Sequence, residues 1–332
     1  MTEVLFLRSD ELADLAEPAD YVEAVRAGYE SHGNEGSAAP RTKLVADEPP
    51  GICTGYLAVL PEVGAMGGYT YAAGFDDEDV HFVLPLFDAE SGRLVALLDG
   101  ASMNPFKTGA AGAVGVDALA REDAATCAVV GSGAQARGQL RATATVREFE
   151  RVRVYSPTTA HREAFAAEFD DRLAADVSAV GSAADALDGA DVVVTATRAS
   201  EPVFADGALP DGAHVTAMGQ YDAEKNELPS RTVARSTYVP DLAARAFQDA
   251  GSFLAAREAG LVDDGHVHAE LGEVVAGQEP GRPDEEAVTV FDSGGTGIET
   301  VAAAWMLYER AREQGRGRTV EFLPGSEALT GD

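Results

Sequence analysis

An apolar run that closes on two glycines constrains the fold of this chain more than any other feature. The run ATCAVVGSG (125–133) predicts a buried strand, and its glycines begin a Gly131-x-Gly133-x-x-Ala136 pattern that opens a helical segment. The strand RVRVYS (151–156) completes a strand–helix–strand unit. In such a unit the first glycine permits a tight turn, the second lets the backbone approach a pyrophosphate, and the third small residue lets the helix pack on the strand. The segment therefore predicts a dinucleotide site at a helix N-terminus.

The end of the second strand of this unit bears on which dinucleotide binds. An Asp or Glu there would bind the ribose hydroxyls and repel a 2′-phosphate. This chain has Ser156 and Thr158 in that region, so we expect NAD(P)(H) with a preference for NADP(H) over NAD(H). The expected cofactor contacts are Thr108, Gly131, Ser132, Gly133, Ala134, Gln135, Ala136, Ser156, Thr158, Thr195, Thr197, Met218 and Ser293.

The order of strands and helices predicts two domains. Strands alternate with helices over 121–295, which predicts an α/β fold with a Rossmann-type doubly wound parallel sheet. Residues 1–120 contain several strands and two helices, which predicts a mixed α+β domain, and the amphipathic helix 296–314 is expected to return to it. We expect the helix after the glycine turn to run to about Glu148, and the tail after Gly315 to lack regular structure.

The charge balance excludes two classes of partner. The chain has 25 Lys and Arg against 56 Asp and Glu, a formal net charge of −31, and the acids are spread along its length. Such a surface repels nucleic acid phosphates and anionic membranes. Arginine far outnumbers lysine, which occurs only as Lys43, Lys107 and Lys225. This bias predicts a halophilic protein, adapted to high salt, with an ordinary acidic cytosolic enzyme as the alternative.

The cysteines, histidines and apolar runs bear on metal binding and on compartment. Cys53 and Cys127 lie far apart, and neither they nor the histidines have metal-ligand spacing, so no metal site is expected. So few cysteines fit a reducing compartment. No leader peptide is apparent at the start, and no apolar run approaches the ~18 residues of a membrane span. We therefore expect a soluble, cytoplasmic protein.

Several segments, in this order along the chain, resemble the ornithine cyclodeaminase/mu-crystallin family. They are APRTK (39–43), PLFDAESGRLVALLDG (85–100), KTGAAGAVGVDALARED (107–123), VVGSGAQARGQL (129–140), DVVVTAT (191–197), AELGEVVAGQEPGR (269–282) and VFDSGGTGIETVAAA (290–304). The resemblance covers nearly the whole chain, and its last two segments are fairly specific. It implies a nicotinamide cofactor, and a homodimer whose dimerisation and substrate domain combines the N-terminal part with the last helix.

The resemblance also implies a cluster of cations for the substrate carboxylate. Relatives typically carry Arg-Thr where this chain has Lys107-Thr108, and a lysine there keeps the charge but loses the bidentate geometry. Arg41 matches a second family cation. Lys43 lies two residues on, so on a strand it would face the same side as Arg41. An exposed surface position is the alternative for each of the three.

Two positions depart from the family pattern. Tyr69 stands where relatives usually carry a lysine, and Tyr221 where they carry an active-site aspartate. A phenol can donate a hydrogen bond but is uncharged at neutral pH. The candidate catalytic residues are Lys107 and, if the alignment shifts by one residue, the carboxylate of Asp222. Tyr69 and Tyr221 are expected as supporting substrate contacts.

These residues together imply hydride transfer between nicotinamide C4 and the Cα of a small amino acid or cyclic imine. The reaction is that of a cyclodeaminase (a lyase), an amino-acid dehydrogenase or an imine reductase, and the residues leave all three open. A hypothesis of another class is an NAD(P)H-binding, mu-crystallin-like protein with weak or no catalysis.

The charge balance yields a prediction about salt. The melting temperature should rise steeply from low to molar KCl, because the screening length falls from about 10 Å at 0.1 M to about 3 Å at 1 M and repulsion among the acids falls with it. Thermal unfolding followed across a KCl series checks this. A melting temperature that stays flat over the series would refute salt adaptation.

Overall fold

A computed structural model describes residues 2–75, 79–219 and 221–326. The chain divides into two compact units. The first consists of the described residues within Met1–Asn104 and Thr296–Asp332, and the second is Pro105–Gly295.

The N-terminal elements are β1 (Thr2–Leu7), α1 (Ser9–Leu12), α2 (Pro18–Asn34), β2 (Ser37–Ala38), β3 (Thr42–Asp47), β4 (Pro50–Leu60), β5 (Ala65–Ala73), β6 (Val83–Asp88), β7 (Leu94–Asp99) and α3 (Asn104–Leu119). The later elements are β8 (Thr126–Val130), α4 (Ala134–Thr143), β9 (Arg151–Tyr155), α5 (Thr159–Asp170), β10 (Asp176–Ala179), α6 (Ala183–Leu187), β11 (Val192–Thr195), β12 (His214–Ala217), α7 (Ser230–Arg235), β13 (Thr237–Pro240), α8 (Ala243–Asp249), α9 (Gly251–Glu258), α10 (Leu271–Val275), β14 (Thr289–Asp292), α11 (Gly297–Glu313) and β15 (Arg318–Phe322).

The first unit is built on one mixed, mainly antiparallel sheet. Its strand order is β15-β1-β7-β6-β5-β4-β2, and β3 also pairs with β4. Strand β1 runs parallel to β7, and the other pairings are antiparallel. A turn with Gly92 at φ +71° joins β6 to β7.

Two long helices cover one face of this sheet. Helix α2 packs on α11, and α11 packs on β4 and β5. Thr296 caps α11, because its hydroxyl accepts the Ile298 N–H at 3.1 Å while Glu299 accepts the Thr296 N–H at 2.7 Å. No helix in the described part of the chain is both long and apolar enough to cross a membrane.

The second unit is a parallel sheet with helices on both faces, as the sequence predicted. The strand order is β10-β9-β8-β11-β12-β14-β13, and every pairing is parallel. Cys127 and Val129 of β8 belong to one apolar core with α4 and α5, whereas Ala128 and Val130 belong to the other core with α6 and α9. Because both faces are covered, the central strands β8 and β11 are nearly continuous apolar runs, whereas β9, nearer the edge, alternates arginine and valine.

The close packing of helix α3 against α4 explains the small residues in α3. A Cβ atom added at Gly109 would overlap the carbonyl of Gly138 in α4, and one added at Gly138 would overlap the carbonyl of Pro105. The backbones of α3 and α4 therefore approach more closely than any side chain at these positions would allow. This helix groups with the second unit, although the sequence analysis placed it at the end of a first domain over 1–120.

Two expectations about regular structure were wrong. Helix α4 ends at Thr143 instead of running to about Glu148, and Phe149 turns into the core beside β9. The tail after Gly315 forms β15, which pairs antiparallel with β1 so that Val4 lies opposite Val320. Both outcomes depend on packing partners distant in the chain, which local sequence does not reveal.

His214 lies at the start of β12. Its ring is fully buried between two hydroxyls, with Nδ1 2.9 Å from Thr289 Oγ1 and Nε2 3.0 Å from Thr216 Oγ1. Burial lowers its pKa from 6.5 to about 3, with smaller contributions from Arg282 and Arg147. The folded protein therefore keeps this histidine neutral at pH values where the unfolded chain takes up a proton.

This difference in protonation predicts a pH-dependent stability. A folded pKa below the unfolded one means that the stability contribution of His214 is complete above about pH 6.5 and is lost progressively as the pH falls. In His214→Gln, which cannot titrate, the deficit in unfolding free energy relative to wild type should shrink by about 1.3 kcal/mol between pH 7.5 and 5.5. Denaturant titrations of both proteins in high salt measure it. A deficit that is constant over this range would contradict the assignment.

Candidate functional site

A cavity of about 1060 Å³ opens in the second unit, at the carboxyl ends of β8, β9, β11 and β12. Chain connections leave β8 and β11 towards opposite sides of the sheet, which makes this the crevice where doubly wound folds bind ligands. Residues expected from the sequence that line it are Gly131, Ser132, Gly133, Ala134, Gln135, Ser156, Thr158, Thr197, Met218 and Tyr221.

The glycine turn has the geometry that a pyrophosphate needs. Gly131 has φ +127°, and a Cβ there would overlap the Ala196 carbonyl, so this position requires glycine. A Cβ at Gly133 would meet no atom within 4 Å, so the space above it is open. Gly133 is the N-cap of α4, whose first N–H groups have no partner within the helix and can bind an anion. The residues present therefore fit a dinucleotide.

Arg137 holds this turn in place, a role that the sequence analysis missed. Its guanidinium donates to the Ser132 carbonyl and, through Nε, to Glu168 at 2.8 Å. Hydrogen bonds from Arg137, opposed by partial burial and aided by Arg141, hold the pKa of Glu168 below its usual value. The arginine at the fourth helix position thus ties the turn to α5.

The end of β9 presents hydroxyls, not carboxylates. The Ser132 hydroxyl donates to Ser156 Oγ at 2.9 Å, which links the glycine turn to the second strand end. Arg162 donates to the Ser156 carbonyl at 2.9 Å, and its guanidinium lies 5.8 Å from the centre of the Tyr155 ring. A cation and two hydroxyls therefore lie where a ribose would be recognised.

Four expected cofactor contacts do not line the cavity. Ala136 is fully buried under the turn, and Thr195 is fully buried at the end of β11. The carbonyl of Thr108 accepts the Gln139 side-chain amide at 2.7 Å, and the backbone N–H of Ser293 donates to the Ala217 carbonyl at 3.0 Å. These residues are placed to support the cavity walls.

A buried ionic cluster lies under the loop that contains Ser293. Arg245 is fully buried and binds Asp241 and Asp292, at 2.7 and 2.6 Å. Asp241 in turn accepts the N–H groups of Gly294 and Gly295 at 2.8 and 3.1 Å. Burial raises the pKa of Asp292 to about 6, against the opposing effects of Arg245 and of Tyr238. The cluster fixes the chain where it leaves β14.

The two cations expected in the first unit lie at β3. Arg41 precedes the strand and places its guanidinium 5.4 Å from the centre of the Tyr56 ring. Lys43 is exposed and lies opposite Thr54, which is on the same face of β4 as Tyr56. The pairing puts both cations on the face of the sheet that also carries Tyr56.

Tyr69 is part of the core of the first unit. It is fully buried beside the rings of Tyr56 and Phe82, and its hydroxyl donates to the Gly100 carbonyl at 2.7 Å. Burial raises its pKa well above the ordinary value. With its proton already donated to Gly100, the phenol offers a substrate only an acceptor oxygen.

The remaining expected site residues lie in the second unit. Lys107, in the first turn of α3, is only 2 % exposed, so it is not a surface lysine. Tyr221 lines the cavity, and Lys225 places its ammonium 5.0 Å from the centre of that ring. Asp222 accepts the Glu224 N–H at 3.1 Å and lies 3.9 Å from the Lys225 ammonium. Gln220, next to Tyr221, falls outside the described residues.

Buried charged groups are what the sequence analysis missed. Asp241, Arg245 and Asp249 recur every four residues, and this spacing on a helix was an available signal for an ion-pair cluster. Glu227 is fully buried and accepts hydrogen bonds from Thr195, Thr197 and Gly219. No local pattern marks Glu227, because its donors come from two separate strand ends.

Comparisons with known proteins agree with this geometry. A Δ1-pyrroline-2-carboxylate reductase of Bacillus cereus (strain ATCC 10987 / NRS 248) is 33 % identical over 290 residues, covering 87 % of this chain and 86 % of the relative. The structure of a Thermococcus litoralis Δ1-pyrroline-2-carboxylate reductase with NADH and L-proline matches with a TM-score of 0.88 at 30 % identity, covering 96 % of this chain and all of that one. An archaeal alanine dehydrogenase dimer with bound NAD matches with a TM-score of 0.89 at 26 % identity, covering 97 % of this chain and all of that one.

The family model for ornithine cyclodeaminase/mu-crystallin proteins matches residues 54–315, which is well over half of the chain. The chain therefore belongs to the ornithine cyclodeaminase/mu-crystallin family, and it is an NAD(P)-dependent enzyme that transfers hydride at the Cα of a small amino acid or its imine.

Proposed function

We propose that the protein is an NAD(P)H-dependent reductase of a cyclic imine 2-carboxylate, of the Δ1-pyrroline-2-carboxylate class. The observation that carries the proposal is the likeness to Δ1-pyrroline-2-carboxylate reductases, which extends over both units in sequence and in structure. Amino-acid dehydrogenase and cyclodeaminase reactions share the same hydride step, so the substrate decides between them.

Reduction of the imine needs a binding site for the substrate carboxylate, a hydride donor and a proton donor. When bound, the reduced nicotinamide supplies the hydride to the imine carbon. Lys107 is the proposed partner of the substrate carboxylate, because it stands in the segment that resembles the family's Arg-Thr motif and is only 2 % exposed. Arg41 and Lys43 are proposed as further partners of the substrate carboxylate. Asp222 is proposed to deliver the proton to the imine nitrogen, with Tyr221 as a further substrate contact, whereas the burial of Tyr69 removes it from this role.

We propose NADP(H) as the preferred cofactor. Ser132, Ser156 and Thr158 line the cavity near the second strand end, and Arg162 is anchored to the Ser156 carbonyl. Hydroxyls and a guanidinium suit a 2′-phosphate, whereas the carboxylate that selects NAD is absent from positions 155–159. The comparison structures contain NADH or NAD, so this preference is a property proposed for this chain alone.

Cofactor binding with little turnover is the second candidate. Tyr221 occupies the position where relatives carry the active-site aspartate, and the Asp222 carboxylate already accepts a backbone N–H. A mu-crystallin-like protein of this kind would bind NAD(P)H normally and fail to reduce any imine.

We also propose a homodimer that forms through the uncovered face of the first unit's sheet. The strand register puts Leu44, Leu57, Val59 and Val83 on the face opposite Tyr56, and these apolar side chains are 65, 59, 40 and 49 % exposed. A contiguous apolar face of this kind marks an interface. A second copy is the proposed occupant because a structural relative is a dimer. Light scattering in high salt should give twice the chain mass.

The charge balance supports a proposed setting for the enzyme. We propose a cytoplasm at high salt, because the acidic excess needs screening and Cys53 and Cys127 are both free thiols.

Cofactor binding at the glycine turn is tested by Gly133→Val. The open space above Gly133 means that the apoprotein should tolerate the side chain, which then occupies the volume proposed for the pyrophosphate. The dissociation constants of NADPH and NADH, measured by fluorescence, should rise by about tenfold or more, the equivalent of about 1.4 kcal/mol. Gly181→Val, in an exposed bend of the same unit, is the control. Unchanged affinity in the folded Gly133 variant would refute the site.

Turnover and the role of Lys107 are tested together in molar KCl. Wild type should reduce Δ1-pyrroline-2-carboxylate, with ornithine, lysine, alanine and iminosuccinate as competing substrates and NADPH and NADH as competing donors. Lys107→Ala should leave cofactor affinity unchanged and lower kcat/KM by about 30-fold to several thousandfold, because it strands a partly buried anion, at a cost of roughly 2–5 kcal/mol. Lys107→Arg should retain activity, since a guanidinium can bind the carboxylate in a bidentate manner. Equal kcat/KM for wild type and Lys107→Ala would remove Lys107 from the site.

A further inference from the structure

Glu227 is a buried carboxylate with an unusual set of partners. Oε1 accepts the Thr197 N–H at 2.7 Å and the Thr197 hydroxyl at 2.5 Å, and Oε2 accepts the Gly219 N–H at 2.8 Å and the Thr195 hydroxyl at 3.0 Å. All four donors are neutral. Within residues 2–75, 79–219 and 221–326, no arginine or lysine lies within salt-bridge distance of it. Burying a charge without a neighbouring cation costs free energy. The hydrogen bonds of Glu227 must therefore stabilise a local backbone conformation that an apolar side chain would not stabilise.

The four donors lie where two neighbouring strands leave the sheet. Thr195 ends β11 opposite Ala217, which ends β12, and the chain diverges beyond this pair. Glu227 bridges the gap by binding Thr197 on one side and Gly219 on the other. A Cβ at Gly219 would lie 2.5 Å from the Glu227 carboxyl carbon, so any other residue there would displace the carboxylate from its donors.

The order that Glu227 imposes extends along the cavity wall. The Thr197 hydroxyl that donates to Glu227 also accepts the Ala199 N–H at 3.1 Å, and the Glu227 carbonyl accepts the Val203 N–H at 2.9 Å. Thr197, Ala199, Val203 and, on the other strand end, Met218 all line the cavity. The carboxylate itself is buried behind them, so it shapes the wall without touching a ligand.

We propose that Glu227 is a positioning residue for the nicotinamide half of the cofactor. The inference rests on the cofactor site proposed above. With the pyrophosphate at the Gly131–Ala134 turn and the adenosine over β9, the other half of a dinucleotide extends across the switch point over β11 and β12. Those are the two strand ends that Glu227 joins. The adenosine half lies over strand ends that Glu227 does not contact.

The donor set makes Glu227→Gln a sharp test. Each carboxylate oxygen accepts one backbone N–H, and a backbone N–H cannot turn round to accept as a hydroxyl can. In either orientation of its amide, a glutamine would place its NH2 group opposite a backbone N–H. One of the two strand ends would therefore lose its hydrogen bond to residue 227. The substitution keeps the shape of the side chain, so it adds no cavity.

The experiment compares two ligands in molar KCl. In Glu227→Gln the dissociation constant of NAD(P)H should rise roughly 10- to 100-fold, as expected for hydrogen bonds to a charged group. The affinity for ADP-ribose, or its 2′-phosphate form if NADPH is preferred, should change less than about twofold because it lacks the nicotinamide. Glu224→Gln makes the same chemical change on an exposed side chain three residues away and should behave as wild type. Equal losses for both ligands, or no loss for either, would overturn the proposal.

A second pair of variants keeps the test decisive if Glu227→Gln does not fold. Thr197→Val removes the hydroxyl that connects Glu227 to Ala199 and should weaken NAD(P)H but not ADP-ribose, whereas Thr197→Ser should restore wild-type affinity. A valine variant that binds NAD(P)H as well as wild type does would overturn the proposal. Failure of the wild type to bind NAD(P)H would instead refute the cofactor site, and this inference with it.

Discussion

The second unit depends on how it satisfies backbone N–H groups where parallel strands end. Beyond β11, β12 and β14 the ladder stops while the next residues are still buried or partly buried, and an unpaired buried N–H costs about 1–3 kcal/mol. Two carboxylates take up these donors: Glu227 binds Thr197 and Gly219, and Asp241 binds Gly294 and Gly295. Glycine recurs at these sites, and at Gly219 a Cβ would meet the Glu227 carboxylate. The cavity keeps its shape because its irregular rim is tied down in this way.

Several cations of the second unit are buried or partly buried, whereas others in the chain, such as Arg8 and Arg231, are exposed. Arg245 binds the cluster under the loop after β14, Arg137 ties the glycine turn to α5, and Lys107 is buried in α3. With a net charge of −31 the protein repels anions at long range, so an anionic ligand needs cations or backbone N–H groups at its binding site. This distribution supports the proposed placing of a dinucleotide and a carboxylate substrate in a protein whose surface repels anions.

Local pattern was enough to predict most of the framework. The alternation of strands and helices predicted the parallel sheet, and the glycine spacing predicted the turn. Packing between distant segments overrode the rest. Helix α4 stops at Thr143 because Phe149 packs inwards, and β15 exists because β1 offers an open edge. Helix α3 joins the second unit because its glycines admit α4.

The sequence by itself determined the fold class, the glycine turn and the family, because each depends on residues close together in the chain: two glycines after an apolar run, and short motifs in a fixed order. Only the tertiary structure decided which polar side chains are buried or already engaged in hydrogen bonds. It buried Tyr69 against the Gly100 carbonyl, gave the Thr195 and Thr197 hydroxyls to Glu227, and put Lys107 inside. Hydrogen bonds and burial join residues that are 30 or more positions apart, and no spacing rule reaches that far.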